Sequence, residues 1–180
     1  EAFSLCDALR AGNDMRLENR RSCRDYIEWQ RGLDYSEGIE FWKQQLKDFS
    51  AAKPFDMARA LPGGNRGYGT QETYLPASLT ADLKAFAQKN DLTLNALIQG
   101  AWALLLSRYT GETDVVFGAT RACRHLPLEG LDAMIGIFIN TVPVRIGPAS
   151  KTSILPWLKG LRSQWLEMRR HEHVPLITIK

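Results

Sequence analysis

The segment from Ile135 to Arg145 constrains the fold of this chain more than any other. Its Ile, Val and Phe content predicts a buried β-strand, yet Asn140, Thr141 and Arg145 stand within it. A polar group left unpaired in a protein interior costs about 1–3 kcal/mol, so these side chains must find partners or meet a ligand. Pro143 has no N–H to donate, which predicts a strand that is at an edge, bulged or open there.

Hydrophobic periodicity elsewhere predicts helices interleaved with short strands. The helix that Thr93 caps and Gly111 ends is apolar on nearly every side, which predicts that it is buried in the core. Interleaved elements of this kind indicate an α/β or α+β fold with helices packed on a mixed sheet. Helices are predicted for residues 2–11, 23–30, 35–49, 93–109 and 154–168, and a further helix begins at a cap formed by Ser78 or Thr80 and ends at Lys89. Further strands are predicted for residues 71–75 and 114–119, and loops for residues 50–69 and 121–134.

The bulk properties of the 180 residues exclude several classes of protein. A net charge of +3, spread over scattered basic residues, argues against a nucleic-acid-binding protein. The longest apolar run, Ala96 to Leu106, is shorter than the ~20 residues that span a bilayer, so no membrane partner is expected. The three cysteines are odd in number and form no Cys-x-x-Cys pair, which favours a reducing, cytoplasmic location.

The chain shows no complete set of catalytic residues of its own. His171 and His173 are two residues apart, a spacing that turns the two rings to different faces of a helix, so we predict no metal site. Asp114 follows a turn and is expected to cap it. Arg121, Arg124 and His125 follow a predicted core strand, where either ligand contacts or a solvated surface are compatible with the sequence.

Five stretches, taken in order, resemble the condensation domain of nonribosomal peptide synthetases. Residues 25–30 are similar to its Tyr-x-x-Trp segment, and residues 40–46 to its Trp-x-x-x-Leu helix. Residues 92–118 are similar to its long core helix and the strand that follows. Residues 135–145 match its Ile-Gly-x-Phe-x-Asn-Thr signature, and residues 171–176 resemble the next motif, usually His/Asn-Gln-Asp-Tyr/Val-Pro-Phe.

The resemblance implies a chloramphenicol-acetyltransferase-like half-domain, in which residues 1–180 form most of the C-terminal subdomain of a condensation domain. In that family two similar subdomains form a V, with the active site in a tunnel between them. The catalytic His-His-x-x-x-Asp-Gly motif, the N-terminal subdomain and the extreme C-terminal end are expected outside this chain. We therefore expect no catalytic residue here and no activity from this fragment alone.

The implied reaction is amide formation between a donor acyl thioester and an acceptor aminoacyl thioester. Expected partners are donor and acceptor carrier proteins with phosphopantetheine arms, the N-terminal condensation subdomain and an adjoining adenylation domain, whereas the chain itself would bind no cofactor. The chain would supply tunnel wall and carrier-docking surface. At residues 121–124 the family commonly has Ser-Gly-Arg, of which only Arg124 is matched here. Candidates for tunnel-side or inter-subdomain contacts are Arg121, Arg124, Asn140, Thr141 and Arg145.

Other functions remain compatible with the sequence. The chain could be a non-catalytic module that docks carrier proteins, or part of a related acyltransferase that uses a coenzyme A donor or forms an ester. An epimerisation domain of the same superfamily and a structural scaffold are further alternatives. A His-His-x-x-x-Asp-Gly motif upstream of Glu1 would favour the condensation domain.

Overall fold

The computed structural model describes residues 2–13, 20–49, 69–147 and 153–179. The loop predicted for residues 50–69 lies outside the described residues except at its last position. Six α-helices, two strands and one 3₁₀ turn are described in these ranges. They are α1 (Ala2–Arg10), α2 (Cys23–Arg31), α3 (Ser36–Gln45), α4 (Ala77–Lys89), α5 (Leu94–Thr110), β1 (Val115–Arg121), β2 (Asn140–Ile146), α6 (Ile154–Met168) and the turn Leu176–Thr178.

Helix ends follow capping chemistry at most of the predicted positions. The Thr93 side chain accepts a hydrogen bond from the Ala96 N–H at 3.1 Å, and Gly111 ends α5 with a left-handed φ of 75°. Both predictions for α5 are confirmed. The predicted cap of α4 is wrong, because this helix begins at Ala77 and the Thr80 hydroxyl donates to the Pro76 carbonyl at 3.2 Å instead. Helix α3 ends at Gln45, short of the predicted residue 49.

The two described strands pair antiparallel, with Arg121 opposite Asn140 and Val115 opposite Ile146. The strand predicted from Ile135 begins only at Asn140, so the first half of that prediction is wrong. Pro143 lies in β2, which is an edge strand of the described sheet, as its missing N–H predicts.

The strand predicted for residues 71–75 is also wrong, since this segment is irregular and its Tyr74 and Leu75 are exposed. A strand needs a neighbour to complete its hydrogen bonds, and no described strand lies beside it.

The chain divides into two compact units. Unit 1 comprises Glu1–Asp34 and Ala122–Ile139, and unit 2 comprises Tyr35–Arg121 and Asn140–Lys180. The core of unit 1 is a small apolar cluster in which the Tyr26 and Phe138 rings meet edge to face at 4.8 Å. The buried members of this cluster are Tyr26, Leu131, Met134 and Phe138.

The core of unit 2 lies beneath β2, whose Val142, Val144 and Ile146 alternate inward. Helix α5 contributes its small residues to this core, because Ala96, Gly100 and Ala103 are buried. A methyl group added at Gly100 would lie 2.8 Å from the side chain of Leu158 in α6. This close approach of the two helices turns larger side chains of α5 outward.

The prediction that α5 is buried on nearly every side is therefore wrong. Ile98 is 59% exposed and Trp102 is 43% exposed, and Leu105 and Tyr109 on the same helix are exposed as well. These four positions recur every three or four residues, so they form one apolar face of α5 that the described residues leave in contact with solvent.

Candidate functional site

The segment that follows α6 contains the deepest charged group of the described part of unit 2. Glu172 is 1% exposed, and its carboxylate accepts a hydrogen bond from the Arg121 Nε at 2.8 Å. The Arg121 guanidinium also lies over the Trp165 ring, 4.1 Å from its centre. A buried carboxylate is tolerated only when it is paired, so Arg121 compensates the charge of Glu172 at the end of β1.

Asn140 holds the same segment from the neighbouring strand. Its side-chain Nδ2 donates to the carbonyls of Glu172 and Val174 at 2.7 and 2.8 Å, and its Oδ1 accepts from the Thr141 N–H at 2.9 Å. In α3, the Trp42 indole donates to the His171 carbonyl at 3.1 Å. Residues far apart in sequence therefore hold residues 171–174 in place, and we call these residues the anchored segment.

The two histidines of the anchored segment stack on aromatic rings. His171 lies 4.3 Å from the Phe41 ring, and His173 lies 5.9 Å from the Tyr35 ring. Burial lowers the pKa of both histidines, and the neighbouring His171 lowers the pKa of His173 further. Among the described side chains, no group of three or more His, Cys, Asp or Glu residues is placed to hold a metal ion.

A groove of about 690 Å³ runs along β1 between α5 and α6. Its wall includes five consecutive residues of β1, from Phe117 to Arg121. Residues of a strand alternate between its two faces, so five in a row can border a groove only along the strand edge. Four apolar side chains, two further arginines and three uncharged polar residues complete the wall: Ile98, Trp102, Trp165, Leu166, Arg162, Arg169, Thr93, Asn95 and Gln99.

Arg124 lies in the loop that follows β1 along the chain and that belongs to unit 1, and its side chain binds the main chain of this loop. Its guanidinium donates to the carbonyls of Leu131 and Met134 at 2.8 and 3.0 Å, and it lies over the Phe138 ring at 4.3 Å. A planar guanidinium with several donors suits this task, because a loop presents carbonyls that have no strand partner. Arg124 thereby closes residues 124–138 around the core of unit 1.

Arg145 connects three elements of unit 2. Its Nε and Nη2 donate to the Asp114 carboxylate at 3.0 and 2.7 Å, and its Nη1 donates to the Gln45 and Lys47 carbonyls at 3.2 and 2.6 Å. The hydrogen bonds to Asp114 raise the pKa of Arg145. Asp114, expected to cap a turn, is thus the counterion that ties β2 to the start of β1.

The structure brings together only some of the predicted site residues. Arg121 and Asn140 are paired across the sheet and both contact Glu172, while Thr141 lies next to them opposite Thr120. Arg145 lies towards the far end of β2, and Arg124 belongs to unit 1. Sequence reasoning missed Glu172. The signal was available, because this acidic residue stands where the resembled motif usually has Gln, and a buried carboxylate requires a cation nearby.

Comparison with known proteins identifies the family. A family profile described as "Condensation domain" matches residues 1–180. The chain belongs to the condensation-domain family. It is 39% identical to a linear gramicidin synthase of Brevibacillus parabrevis over 181 residues, which are 99% of this chain and 2% of that protein. It is 30% identical to bacitracin synthase 1 of Bacillus licheniformis, covering all of this chain and 3% of that protein.

Solved condensation-type structures share the fold. The X-domain from teicoplanin biosynthesis has a TM-score of 0.72 and 30% identity, over 96% of this chain and 40% of that chain. The first condensation domain of the CDA synthetase has a TM-score of 0.73 and 17% identity, over 93% and 37% of the two chains. The α+β fold predicted from the sequence is therefore confirmed, and this condensation-domain chain spans under half of each of these two solved relatives.

Proposed function

We propose that this chain is the C-terminal part of a condensation domain that forms an amide bond between two carrier-bound substrates. The observation that carries the proposal is the contact between two of its family motifs. Asn140 of the Ile-Gly-x-Phe-x-Asn-Thr signature donates two hydrogen bonds to the main chain of the anchored segment, which belongs to the next motif. The end of the signature, from Asn140 onward, and the next motif thus lie together in unit 2, as expected if they serve one site.

In the proposed reaction, the acceptor amine nitrogen attacks the carbonyl carbon of the donor thioester. The new C–N bond forms as the C–S bond breaks, and the proton lost by the amine balances the thiolate that leaves on the donor arm. These 180 residues contain no His-His-x-x-x-Asp-Gly motif, which the proposal assigns to the rest of the condensation domain. In this proposal the chain contributes tunnel wall and carrier-docking surface but no catalytic residue, and alone it is inactive.

The five candidate residues divide by what their side chains bind. Arg124, Asn140 and Arg145 bind protein carbonyls or carboxylates, so we assign them to positioning. Arg121 also binds a carboxylate, that of Glu172, but it borders the groove along β1 and is therefore the candidate for tunnel-side contacts, with Thr141 beside it. Proposed partners are phosphopantetheine-bearing carrier proteins, the N-terminal condensation subdomain and an adenylation domain. The proposed location is the cytoplasm, where cysteines outside disulfides, such as Cys23, persist.

The test is a complementation assay. This chain is mixed with a separately made N-terminal half that carries the histidine motif, and amide formation between two loaded carriers is followed by intact mass. An amide product only in the mixture supports the proposal. An ester product, or transfer from a coenzyme A donor instead of a carrier, would assign the chain to a related acyltransferase.

Asn140→Ala and Asn90→Ala make a matched pair for the same assay. Both amides donate to main-chain carbonyls, but Asn90 binds Phe86 within its own helix end, whereas Asn140 joins two motifs. We expect Asn140→Ala to lower the rate at least about tenfold and Asn90→Ala to leave it within about twofold, since misplaced site geometry is costly. Equal rates for both variants would remove the observation on which the proposal rests.

A second candidate function is a protein-recruiting module without chemistry. The observation in its favour is the likeness to the teicoplanin X-domain, which is also solved as a complex with OxyB. Binding of a carrier or another protein by this chain together with its N-terminal half, without any product, would favour this alternative.

A further inference from the structure

We propose that His173 is a pH-sensitive lock on the anchored segment: the neutral imidazole keeps residues 171–174 in place, and protonation of the ring releases them from α3 and β2. The proposal concerns how this chain holds one of its own segments, so it stands independently of the reaction proposed above. Its basis is a buried nitrogen atom that no hydrogen bond satisfies.

The Nδ1 atom of His173 carries the first argument. Among the described residues, it is the single buried side-chain nitrogen or oxygen atom that has no hydrogen-bond partner. A neutral imidazole carries a proton on one nitrogen only and can leave Nδ1 as an unused acceptor, whereas an imidazolium has an N–H on both nitrogens. A buried, charged N–H without an acceptor is costly, so this position favours the neutral ring.

The charged groups around this imidazole ring do not offset that cost. Glu172 favours protonation, but its carboxylate already binds the Arg121 Nε at 2.8 Å. Glu37 in α3 and the Arg170 carbonyl act in the same direction as Glu172, and the neighbouring His171 opposes them. Burial is the largest of these effects and lowers the pKa of the ring overall.

The position of the ring carries the second argument. The His173 ring stacks on the Tyr35 ring, with 5.9 Å between their centres. Burial raises the pKa of Tyr35, so this phenol stays uncharged near neutral pH and supplies no negative charge to an imidazolium. A ring that leaves the stack is surrounded by water, in which it binds a proton readily. Protonation and departure of the ring are therefore coupled.

The anchored segment is the element that responds to this coupling. It is held by two hydrogen bonds from Asn140, by one from the Trp42 indole, and by the close packing of Val174 on Gly38. His173 stands between the two residues whose carbonyls Asn140 binds. Departure of its ring therefore strains these contacts, which release the segment when they break.

Proton linkage gives the expected size of the effect. A released His173 has the ordinary histidine pKa of about 6.5, and the held ring binds a proton only at lower pH. Between these two values, each unit by which the pH falls favours release by up to about tenfold. The equilibrium constant for release should therefore rise about tenfold between about pH 7.5 and pH 5.5.

Amide hydrogen exchange measures this release in a complete condensation domain that contains this chain. The Val174 N–H donates to the His171 carbonyl at 3.2 Å, and the His171 N–H donates to the Met168 carbonyl at 3.0 Å. These amides exchange when the segment opens locally. Exchange into peptides that cover residues 169–176 is followed by mass spectrometry at both pH values, with correction for the intrinsic pH dependence of exchange. We expect the corrected rates to be about tenfold higher at the lower pH.

His173→Phe and His171→Phe make the matched pair for this measurement. Each replaces a stacked imidazole by an aromatic ring that cannot titrate, against Tyr35 and Phe41 respectively. We expect His173→Phe to exchange at the same corrected rate at both pH values, to within about twofold. His171→Phe should keep at least about a fivefold response, because His171 has no buried nitrogen that lacks a partner.

Three outcomes overturn the proposal. An equal response in the parent domain and in His173→Phe would assign it to other groups, and a parent domain without any response would have no lock. Loss of the response in both variants would make the two histidines a joint sensor. If His173→Phe does not fold, His173→Gln, which cannot titrate either, takes its place. No readout here uses condensation activity.

Discussion

At the residue scale, the side chains that looked suited to a ligand are mostly occupied by the protein itself. Asn140 binds two carbonyls of the anchored segment, Arg124 binds a loop, and Arg145 binds Asp114. Desolvating these groups would be costly without such partners, so their positions in apolar segments are explained by structure before any substrate is considered.

The Arg121 and Glu172 pair gives an asymmetric prediction, because the Arg121 side chain retains 21% exposure and Glu172 only 2%. In a condensation domain containing this chain, Arg121→Met removes the cation that faces a buried carboxylate and should cost about 3–5 kcal/mol of unfolding free energy. Glu172→Gln leaves an arginine that can reach water and should cost about 1–2 kcal/mol.

Chemical denaturation of the two single variants and the double variant measures the coupling within this pair. Arg121→Met with Glu172→Gln should lose less than the sum of the single losses by about 1–3 kcal/mol. Additivity to within about 0.5 kcal/mol would contradict the ion pair as a coupled unit.

The anchored segment also predicts a dependence of stability on pH. Burial lowers the pKa of His171 and His173 in the folded chain, while Glu37 raises it at both. Below the ordinary histidine pKa of about 6.5, the unfolded chain binds more protons than the folded chain does. The free energy of unfolding is therefore highest above this pH and decreases as the pH falls towards the histidine pKa values of the folded chain.

The measurement is the unfolding free energy between about pH 8 and pH 5. Replacing both histidines by asparagine should flatten the loss below pH ~6.5, whereas His125→Asn, at an exposed position, is the matched control. A loss of stability that is as steep in the double variant as in the parent chain would show that other groups cause it.

At the element scale, close contacts decide which face of each helix is buried. Gly38 in α3 lies against the anchored segment, where an added methyl group would come within 2.4 Å of a Val174 methyl carbon. Gly160 in α6 has no such neighbour within 4 Å. The same substitution at these two positions therefore separates helix propensity from packing.

Gly38→Ala should destabilise the domain by about 1–3 kcal/mol, since Val174 is β-branched, fully buried and cannot move aside cheaply. Gly160→Ala should stabilise it by about 0.5–1 kcal/mol, because alanine favours the helix. Thermal and chemical unfolding of both variants measure the difference. Stabilisation by Gly38→Ala would show that α3 does not hold the anchored segment as closely as described.

At the scale of the whole molecule, each unit presents apolar side chains to solvent. In unit 1 the exposed residues Ile135, Ile137 and Ile139 alternate with the buried Phe138 and with Gly136, which lies against Cys23. In unit 2 the apolar face of α5 is exposed. No described helix is both long and apolar enough to cross a membrane. Apolar surfaces of this kind favour association between copies of the chain.

We therefore expect the 180-residue chain alone to self-associate at about 10–100 µM, as measured by sedimentation velocity. Ile98→Lys combined with Ile137→Lys should reduce association at least about tenfold, because charges oppose apolar contacts between copies. Ile154→Lys, at an exposed isoleucine at the start of α6, is the matched control. A monomer at every concentration would show that these surfaces are not adhesive.

The sequence by itself located the helices to within a few residues at most ends, the strand predicted at 114–119, and the family. Periodicity, Thr93 and Gly111 act over a few residues, so local patterns suffice to locate α5 and its ends. The order of motifs was likewise readable without coordinates, and the family match over residues 1–180 confirms it.

Only the tertiary structure decided what each polar side chain binds and which apolar faces are buried. Arg121 binds a residue that is 51 positions away in the sequence, and Asn140 binds carbonyls that are 32 and 34 positions away. Local sequence patterns do not indicate which residues meet across such separations. The strand expected from Ile135 starts at Asn140, and α5 turns large side chains outward, because strand pairing and helix packing depend on neighbours that composition does not specify.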